Sequence, residues 1–434
     1  MLKRKAYRVM EQWKSEVGRR ALLVTGARQV GKTYLIREFA RNNYENFIEI
    51  NLISNRIAAK VIEDAASTKD LMTRLSIIAD APMVPGRTLV FLDEVQKCKE
   101  IVTAIKFLVE QGDYDFILSG SLLGVEMRDV RSIPVGYLGV LEMFPLDFEE
   151  YCWANGVSED DFSHIQEAFR AKRPLPEYML EHFMGKFREY LLVGGMPAPV
   201  SEYVQSHNMQ IVRKIQNDIR KLNRGDISQY ADSSALTIKD IYDQMPSQLN
   251  KENKSFEVRS LGEHARLRRY ENRFLWLIDA GVALPCYRVG EPRYPLLLAK
   301  SSSKFKLYLN DVGLLTGTFG KRDLLDMLHS PGTVNYGSTY ENLVAQELTA
   351  HGAKLYYYSK NKFGEVDFVL DAASGSITLI EVKSGTGFNR HKTLTKLLDV
   401  PGYSFDDALV LCDSNVNVCG EVSYLPIYMA SCIE

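Results

Sequence analysis

The eight residues Gly26-Ala27-Arg28-Gln29-Val30-Gly31-Lys32-Thr33 constrain this chain more than any other stretch. They spell G-x-x-x-x-G-K-[ST], follow the apolar run "ALLVTG" (21–26) and lead into "KTYLIREFARN", which has helical spacing. A strand, a glycine-rich loop and a helix in that order make a phosphate-binding turn. The glycines let the backbone turn tightly, so that successive N–H groups aim at phosphate oxygens at the start of the helix. Lys32 is then placed to reach the β- and γ-phosphates of ATP and the Thr33 hydroxyl to hold Mg2+, with Tyr34 completing the nucleotide-binding segment.

About sixty residues on, "TLVFLDEVQ" is an apolar strand that ends in Asp93 and Glu94. Carboxylates at the C-terminal end of such a strand lie beside the phosphate loop of a parallel sheet. Asp93 would hold Mg2+, directly or through water, and Glu94 would orient and deprotonate an attacking water. The plain alternative is a strand that ends in an acidic turn. The strand "FILSGS" (116–121) ends in Ser119 and Ser121. Either serine can contact a γ-phosphate and the attacking water, or cap the next helix. Arg28, Arg128 and Arg131 can sense phosphate within the chain or reach a neighbouring copy, and the sequence does not choose among them.

The wider pattern agrees with a nucleotide-binding sheet. "NFIEINL" (46–52), "RTLVFLDE" (87–94) and "YDFILSG" (114–120) alternate with helical stretches up to residue 145. Such alternation predicts an α/β fold with a parallel sheet covered on both faces. At 434 residues the chain is too long for one typical domain. Residues 146–235 read as a helical subdomain broken by "VGGMPAP". Residues 236–318 read as short helices followed by the strands "VALPCYRVG" and "PLLLAK", which predicts a winged-helix-like module. Residues 319–434 return to mixed strands and helices, a small α/β domain.

Composition sets limits. A net charge of −2 and a pI of about 6.4 argue against coating nucleic acid by bulk charge and leave room for a local basic patch. The six cysteines form no CxxC pair, so neither a zinc ribbon nor a disulfide framework is indicated. They read as buried thiols in a reducing compartment. The basic N-terminus lacks the apolar stretch of a signal peptide, and no apolar run reaches the roughly 18 residues of a membrane span, so a cytoplasmic location is expected.

The local basic patch has a candidate. "HARLRRYENRFLWLIDAG" (264–281) sets Arg266, Arg269 and Arg273 along one helical stripe and Tyr270, Phe274 and Leu277 along another. The stripe either presents arginines to DNA phosphates or is a solvated basic face.

The last region carries a second cluster of charges. In "GEVDFVL" (364–370) Glu365 and Asp367 share one strand face, and in "LIEVKSG" (379–385) Glu381 and Lys383 do. The linker "DAASGS" (371–376) lets the two strands pair antiparallel, which brings Asp367, Glu381 and Lys383 to one surface. Glu341, on the helix "TYENLVAQEL", can approach it. Hard carboxylates of this kind bind Mg2+ or Mn2+ and activate water against a phosphodiester, with the lysine stabilising the charge. An exposed sheet face would tolerate the same residues. Tyr356 and Tyr358 can stack on bases or pack inside.

In the order "GARQVGKT", "TLVFLDEVQ", "ILSGSLLG", "MFPLDFEEY", "LLVGGMPAPV", "FKLYLNDVGLL", "YENLVAQEL" and "GEVDFVL…LIEVKSG", these segments resemble prokaryotic AAA+-type ATPases. Those ATPases carry a C-terminal domain of unknown function that itself resembles PD-(D/E)xK nucleases. The resemblance spans about residues 18–385. It implies ATP binding and hydrolysis with Mg2+, a link to DNA processing, assembly into a homo-oligomer, and Asp367, Glu381 and Lys383 in nuclease-like positions. One departure is Tyr137, in "PVGY", where members of that family often have a basic residue.

Overall fold

The computed structural model describes residues 2–65, 67–79, 82–120, 136–230, 234–251, 253–262, 265–320, 336–361, 363–385 and 387–433. No helix among them is long and apolar enough to cross a membrane. The chain divides into two compact units, residues 3–144 with 279–281, and residues 145–278 with 282–434.

The first unit runs α1 (Lys5–Ser15), β1 (Ala21–Thr25), α2 (Lys32–Asn43), β2 (Asn46–Asn51), α3 (Arg56–Glu63), α4 (Thr68–Ile78), β3 (Thr88–Asp93), α5 (Lys99–Gln111), β4 (Asp115–Ser119) and β5 (Leu138–Glu142). Its sheet has the order β2-β3-β4-β1-β5, with every pairing parallel. All six residues of β3 are buried, as a strand covered on both faces must be. Val90, Leu92, Phe116 and Leu118 pack with Ile101 and Ile105 of α5 in one core, each burial contributing about 1.5–3 kcal/mol. This is the P-loop NTPase fold expected from the sequence. Its strand order sets β4 between β1 and β3, so the end of β4 lies between the phosphate loop and Asp93.

Among the described residues, the second unit opens with six helices between Phe148 and Leu249 and a further helix at Leu267–Asp279. It closes on an eight-stranded sheet made by β6 (Ala283–Val289), β7 (Lys300–Leu309), β8 (Tyr356–Lys360), β9 (Gly364–Asp371), β10 (Ile377–Val382), β11 (Phe405–Cys412), β12 (Asn417–Cys419) and β13 (Val422–Pro426). Their order is β12-β13-β11-β10-β9-β8-β6-β7. The β9–β10 pairing is antiparallel, with Ile380 opposite Phe368.

Two expectations change here. The stretch "LLLA" (296–299) is a 3-10 turn, and the second strand of the hairpin is Lys300–Leu309. The hairpin is also no free wing. β6 pairs in parallel with β8, Tyr287 against Tyr356, so the sheet runs across the boundary placed at residue 318. The cause is burial: Phe305 to Leu309 are all inside, and a solvated wing could not hide them.

The glycine break at 193–199 has a packing reason. A Cβ on Gly195 would lie 2.0 Å from the Leu146 carbonyl oxygen. The Gly195 N–H donates to Asp311 Oδ2 at 2.6 Å, and Tyr190 donates to Glu347 on the Gly337–Ala350 helix at 3.1 Å. These bonds tie the helical segment to the sheet-bearing region within one unit.

Candidate nucleotide site and C-terminal acidic cluster

The loop between β1 and α2 has the backbone that its glycines predict. Gly26, Gln29 and Gly31 all have positive φ, at 127°, 66° and 96°. A Cβ at Gly26 would fall 2.1 Å from the carbonyl oxygen of Met143, so no other residue fits. Gly31 starts α2 in the left-handed region with no side-chain cap. The first N–H groups of the helix are therefore left for an anion. Arg28, Gln29, Gly31, Lys32, Thr33, Tyr34, Asp93 and Glu94 line an open groove of about 480 Å3. Ala27 and Val30 are buried beneath it. Arg4, just before α1, holds the loop from below by donating to the Val30 carbonyl at 2.9 Å.

Lys32 is folded back on its own loop, donating to Gly26 O at 2.9 Å and Ala27 O at 2.8 Å. Burial pushes its pKa down to about 8, against the pull of Glu94 and Asp93. Carbonyl oxygens are weak partners for an ammonium. A phosphate in the groove would supply stronger ones.

Asp93 is the hub. Its Oδ2 accepts from Thr33 Oγ1 at 3.3 Å and from Asn51 Nδ2 at 3.1 Å. Its Oδ1 accepts from the Ser119 hydroxyl and from the Glu94 N–H, the latter at 3.1 Å. The carboxylate is fixed from both sides, with the Thr33 hydroxyl beside it. A hydroxyl and a carboxylate, both hard oxygen donors in contact, suit Mg2+. Thr33 and Asp93 would hold such an ion, which would offset the charge of bound phosphates.

Glu94 sits in the left-handed region at φ 60° and ψ 45°. For a non-glycine residue this costs of order 1–3 kcal/mol, and such strain gathers at functional sites. Gln96 donates to one of its oxygens, and the side chain lines the groove. Ser119 thus stands on the site through its bond to Asp93. Ser121, Arg128 and Arg131 lie outside the described residues. Tyr137 donates to Glu110 at 2.7 Å. Sequence reasoning missed Asn51 and Arg4. The β2–β3 register, which sets Asn51 opposite Asp93, is what places Asn51.

In the second unit, Lys306 on β7 is the centre of the acidic cluster. Its ammonium, wholly buried, lies 2.8 Å from Glu365 Oε1, 3.5 Å from Glu341 Oε2 and 3.9 Å from Asp367 Oδ1. Lys254 pairs with Glu341 Oε1, and the Tyr308 hydroxyl donates to Glu341 Oε2 at 3.1 Å. Asp367 Oδ2 accepts from Val382 N at 2.8 Å. Lys383 donates to Glu381 Oε1 at 2.6 Å. The structure thus sets Glu341, Glu365 and Asp367 around Lys306, a cation not foreseen from the sequence, while Glu381 pairs with Lys383.

The charges respond to burial and to each other. Burial raises the Glu341 carboxyl, but Lys306 and Lys254 outweigh it and hold the group at about 2. Burial, with Glu341 and Glu381 adding to it, pushes Asp367 well above the usual carboxylate range. Burial lifts Glu381 as well, against Lys383. For Lys306, burial opposes the charge, and Tyr308 and the three surrounding acids outweigh it.

Of the arginines on the Leu267–Asp279 helix and just before it, Arg266 and Arg269 are exposed and Arg273 is half-buried, 5.1 Å from the Tyr270 ring. The apolar stripe, Phe274 and Leu277, faces inward. Tyr356 and Tyr358 are core residues, 3% and 1% exposed, which selects packing over base stacking.

Comparison with known proteins adds the following. A family described as an AAA domain matches residues 18–152. Two domains of unknown function, DUF8612 and DUF4143, match residues 184–324 and 336–429. A search of curated proteins found no match. Among solved structures, the Walker-type ATPase of Pyrococcus abyssi is 15% identical with a TM-score of 0.45, over 73% of this chain and 95% of that one. Aeropyrum pernix Orc1 in complex with DNA is 13% identical with a TM-score of 0.24, over 74% and 91%. AMPPCP-bound DnaA from Aquifex aeolicus is 15% identical with a TM-score of 0.30, over 58% and 76%. Likenesses this weak assign neither activity nor partner. The family match stands on its own: it covers residues 18–152, the segment that carries the phosphate loop on a parallel sheet.

Proposed function

We propose that this protein is a Mg2+-dependent ATP hydrolase whose nucleotide cycle is coupled to DNA. The observation that carries the hydrolase reading is the network on Asp93. Thr33, Asn51, Ser119 and the Glu94 N–H all donate to its two oxygens beside an open phosphate loop. Lys32 and the loop N–H groups bind and orient the phosphates. Thr33 and Asp93 hold the metal. Glu94, fixed in a strained backbone, takes the proton from the attacking water. Ser119 orients the site through Asp93.

The coupling to DNA rests on the exposed arginines Arg266 and Arg269, which suit phosphate contact without sequence readout. A ring of identical copies, with an arginine supplied by a neighbour, is part of this proposal. Light scattering with and without ATP tests it.

A second reading is a nucleotide-driven switch whose nuclease-like domain docks a protein partner. The burial of Tyr356 and Tyr358 favours it, since neither can stack on a base.

Release of inorganic phosphate, measured with Mg2+ or EDTA and with or without duplex and branched DNA, separates the readings. The hydrolase proposal expects Mg2+-dependent turnover that is lost in Lys32→Ala. The DNA proposal expects stimulation that weakens in Arg266→Glu/Arg269→Glu, with a shallower salt dependence of binding. Turnover indifferent to DNA, with no DNA bound at low salt, leaves the switch reading standing.

A further inference from the structure

The acidic cluster of the second unit was expected to hold a divalent ion, and its residues do not fit one. Such an ion takes about six oxygen ligands at close to 2.0–2.6 Å, which demands oxygens that converge and are free. Among the described residues, Glu341, Asp367 and Glu381 do not bring three ligand oxygens within 4.8 Å of one another. Their oxygens are also taken. Glu341 spends both on Lys254, Lys306 and Tyr308. Asp367 gives one to the Val382 N–H and turns the other toward Lys306. Glu381 gives Oε1 to Lys383, and its Oε2 is buried without a partner. One free oxygen does not make a metal site.

We infer that Lys306 is the resident cation of this cluster: its ammonium occupies the position among Glu341, Glu365 and Asp367 that a divalent ion would need, so the C-terminal region folds without such an ion and does not cut phosphodiesters. The placement is built in. Phe305 to Leu309 are buried strand, with Cys286 of β6 paired opposite Lys306. The Lys306 ammonium also lies 4.9 Å from the Tyr357 ring centroid, a contact that favours a cation. The lysine comes from the region matched at 184–324, and the acids come from the region matched at 336–429. The ion pairs therefore join two segments recognised as separate families. This inference is independent of the ATPase reading, because it concerns residues outside the phosphate loop.

The test uses the full-length, nucleotide-free chain carrying Thr33→Ala and Asp93→Asn, so that both proposed metal ligands of the nucleotide site are removed. Mn2+ binding is followed by electron paramagnetic resonance, and thermal unfolding is compared with millimolar Mn2+ and with EDTA. Because Glu63, Cys98 and Glu100 also converge, the readout is the part of the Mn2+ signal and Tm shift that depends on Asp367, and the expected result is none. Lys306→Ala in the same background should gain a Mn2+ site and a Tm that rises with Mn2+. A Mn2+ site present with Lys306 intact and lost in Asp367→Asn would overturn the inference. So would metal-dependent DNA cleavage lost in Glu381→Gln. A folded Lys306→Ala chain that gains no Mn2+ would overturn it too. Should that variant not fold, the comparison of the Lys306-containing chain with its Asp367→Asn partner decides alone.

Discussion

The nucleotide site and the C-terminal cluster both gather carboxylates and lysines, yet they complete their charge in opposite ways. At the nucleotide site Lys32 rests on two carbonyl oxygens and the groove above it is open. In the C-terminal cluster Lys306 sits among three acidic side chains and is wholly buried. An ammonium parked on carbonyls can be released to a stronger anion. One enclosed by acidic side chains already has its partners. Residue type alone does not separate a working site from a structural one; what separates them is whether the cation has a better partner waiting outside.

The comparison breaks first at Glu94. Glu94→Gln should keep ATP bound while lowering turnover by roughly 10^2–10^4-fold; normal turnover in this variant would remove Glu94 as the base. Lys306→Ala leaves Glu341, Glu365 and Asp367 facing one another. It should cost roughly 3–5 kcal/mol in urea unfolding. A change below about 1 kcal/mol would mean that the cluster is wet and loosely paired.

A pH titration sharpens the contrast. Lys32 has a pKa lowered to about 8 in the nucleotide-free protein, and phosphate binds its charged form. ATP binding therefore takes up a proton above that pH, and affinity should fall by up to roughly tenfold per unit as pH rises past it. Binding that stays flat to higher pH would show that Lys32 is charged throughout. Asn51→Ala should give the smallest effect, about 1 kcal/mol or several-fold. It should appear as a higher Mg2+ requirement for ATP binding, which calorimetry at varied Mg2+ would measure. An unchanged requirement would leave Asn51 a turn residue, through its bonds to the Ile53 and Ser54 N–H groups.

How far the sequence could be read follows from how local each feature is. The phosphate loop lies within eight residues, and β3 announces Asp93 and Glu94 by its apolar run. Strand alternation put Glu365 with Asp367 and Glu381 with Lys383, and both pairs share surroundings in the fold. Asn51 and Lys306 were not legible, because each is placed by pairing between distant strands. Asn51 needs the β2–β3 register. Lys306 needs β6 to dock on β8, with Tyr287 meeting Tyr356 across a long stretch of chain. Read alone, residues 283–309 are a hairpin after helices, which is why a wing was expected there. Ser119 was ambiguous until the strand order set it between the loop and Asp93.

The β6–β8 pairing has a consequence for how such a chain can be inherited. Residues 184–324 and 336–429 match two families, yet their strands share one ladder. A gene fusion that brought either segment to a new host without the other would expose an unsatisfied strand edge and strand buried charge without its counterion. The two segments should therefore travel together through recombination, and a lineage that lost one should have had to cap β6 or β8 anew.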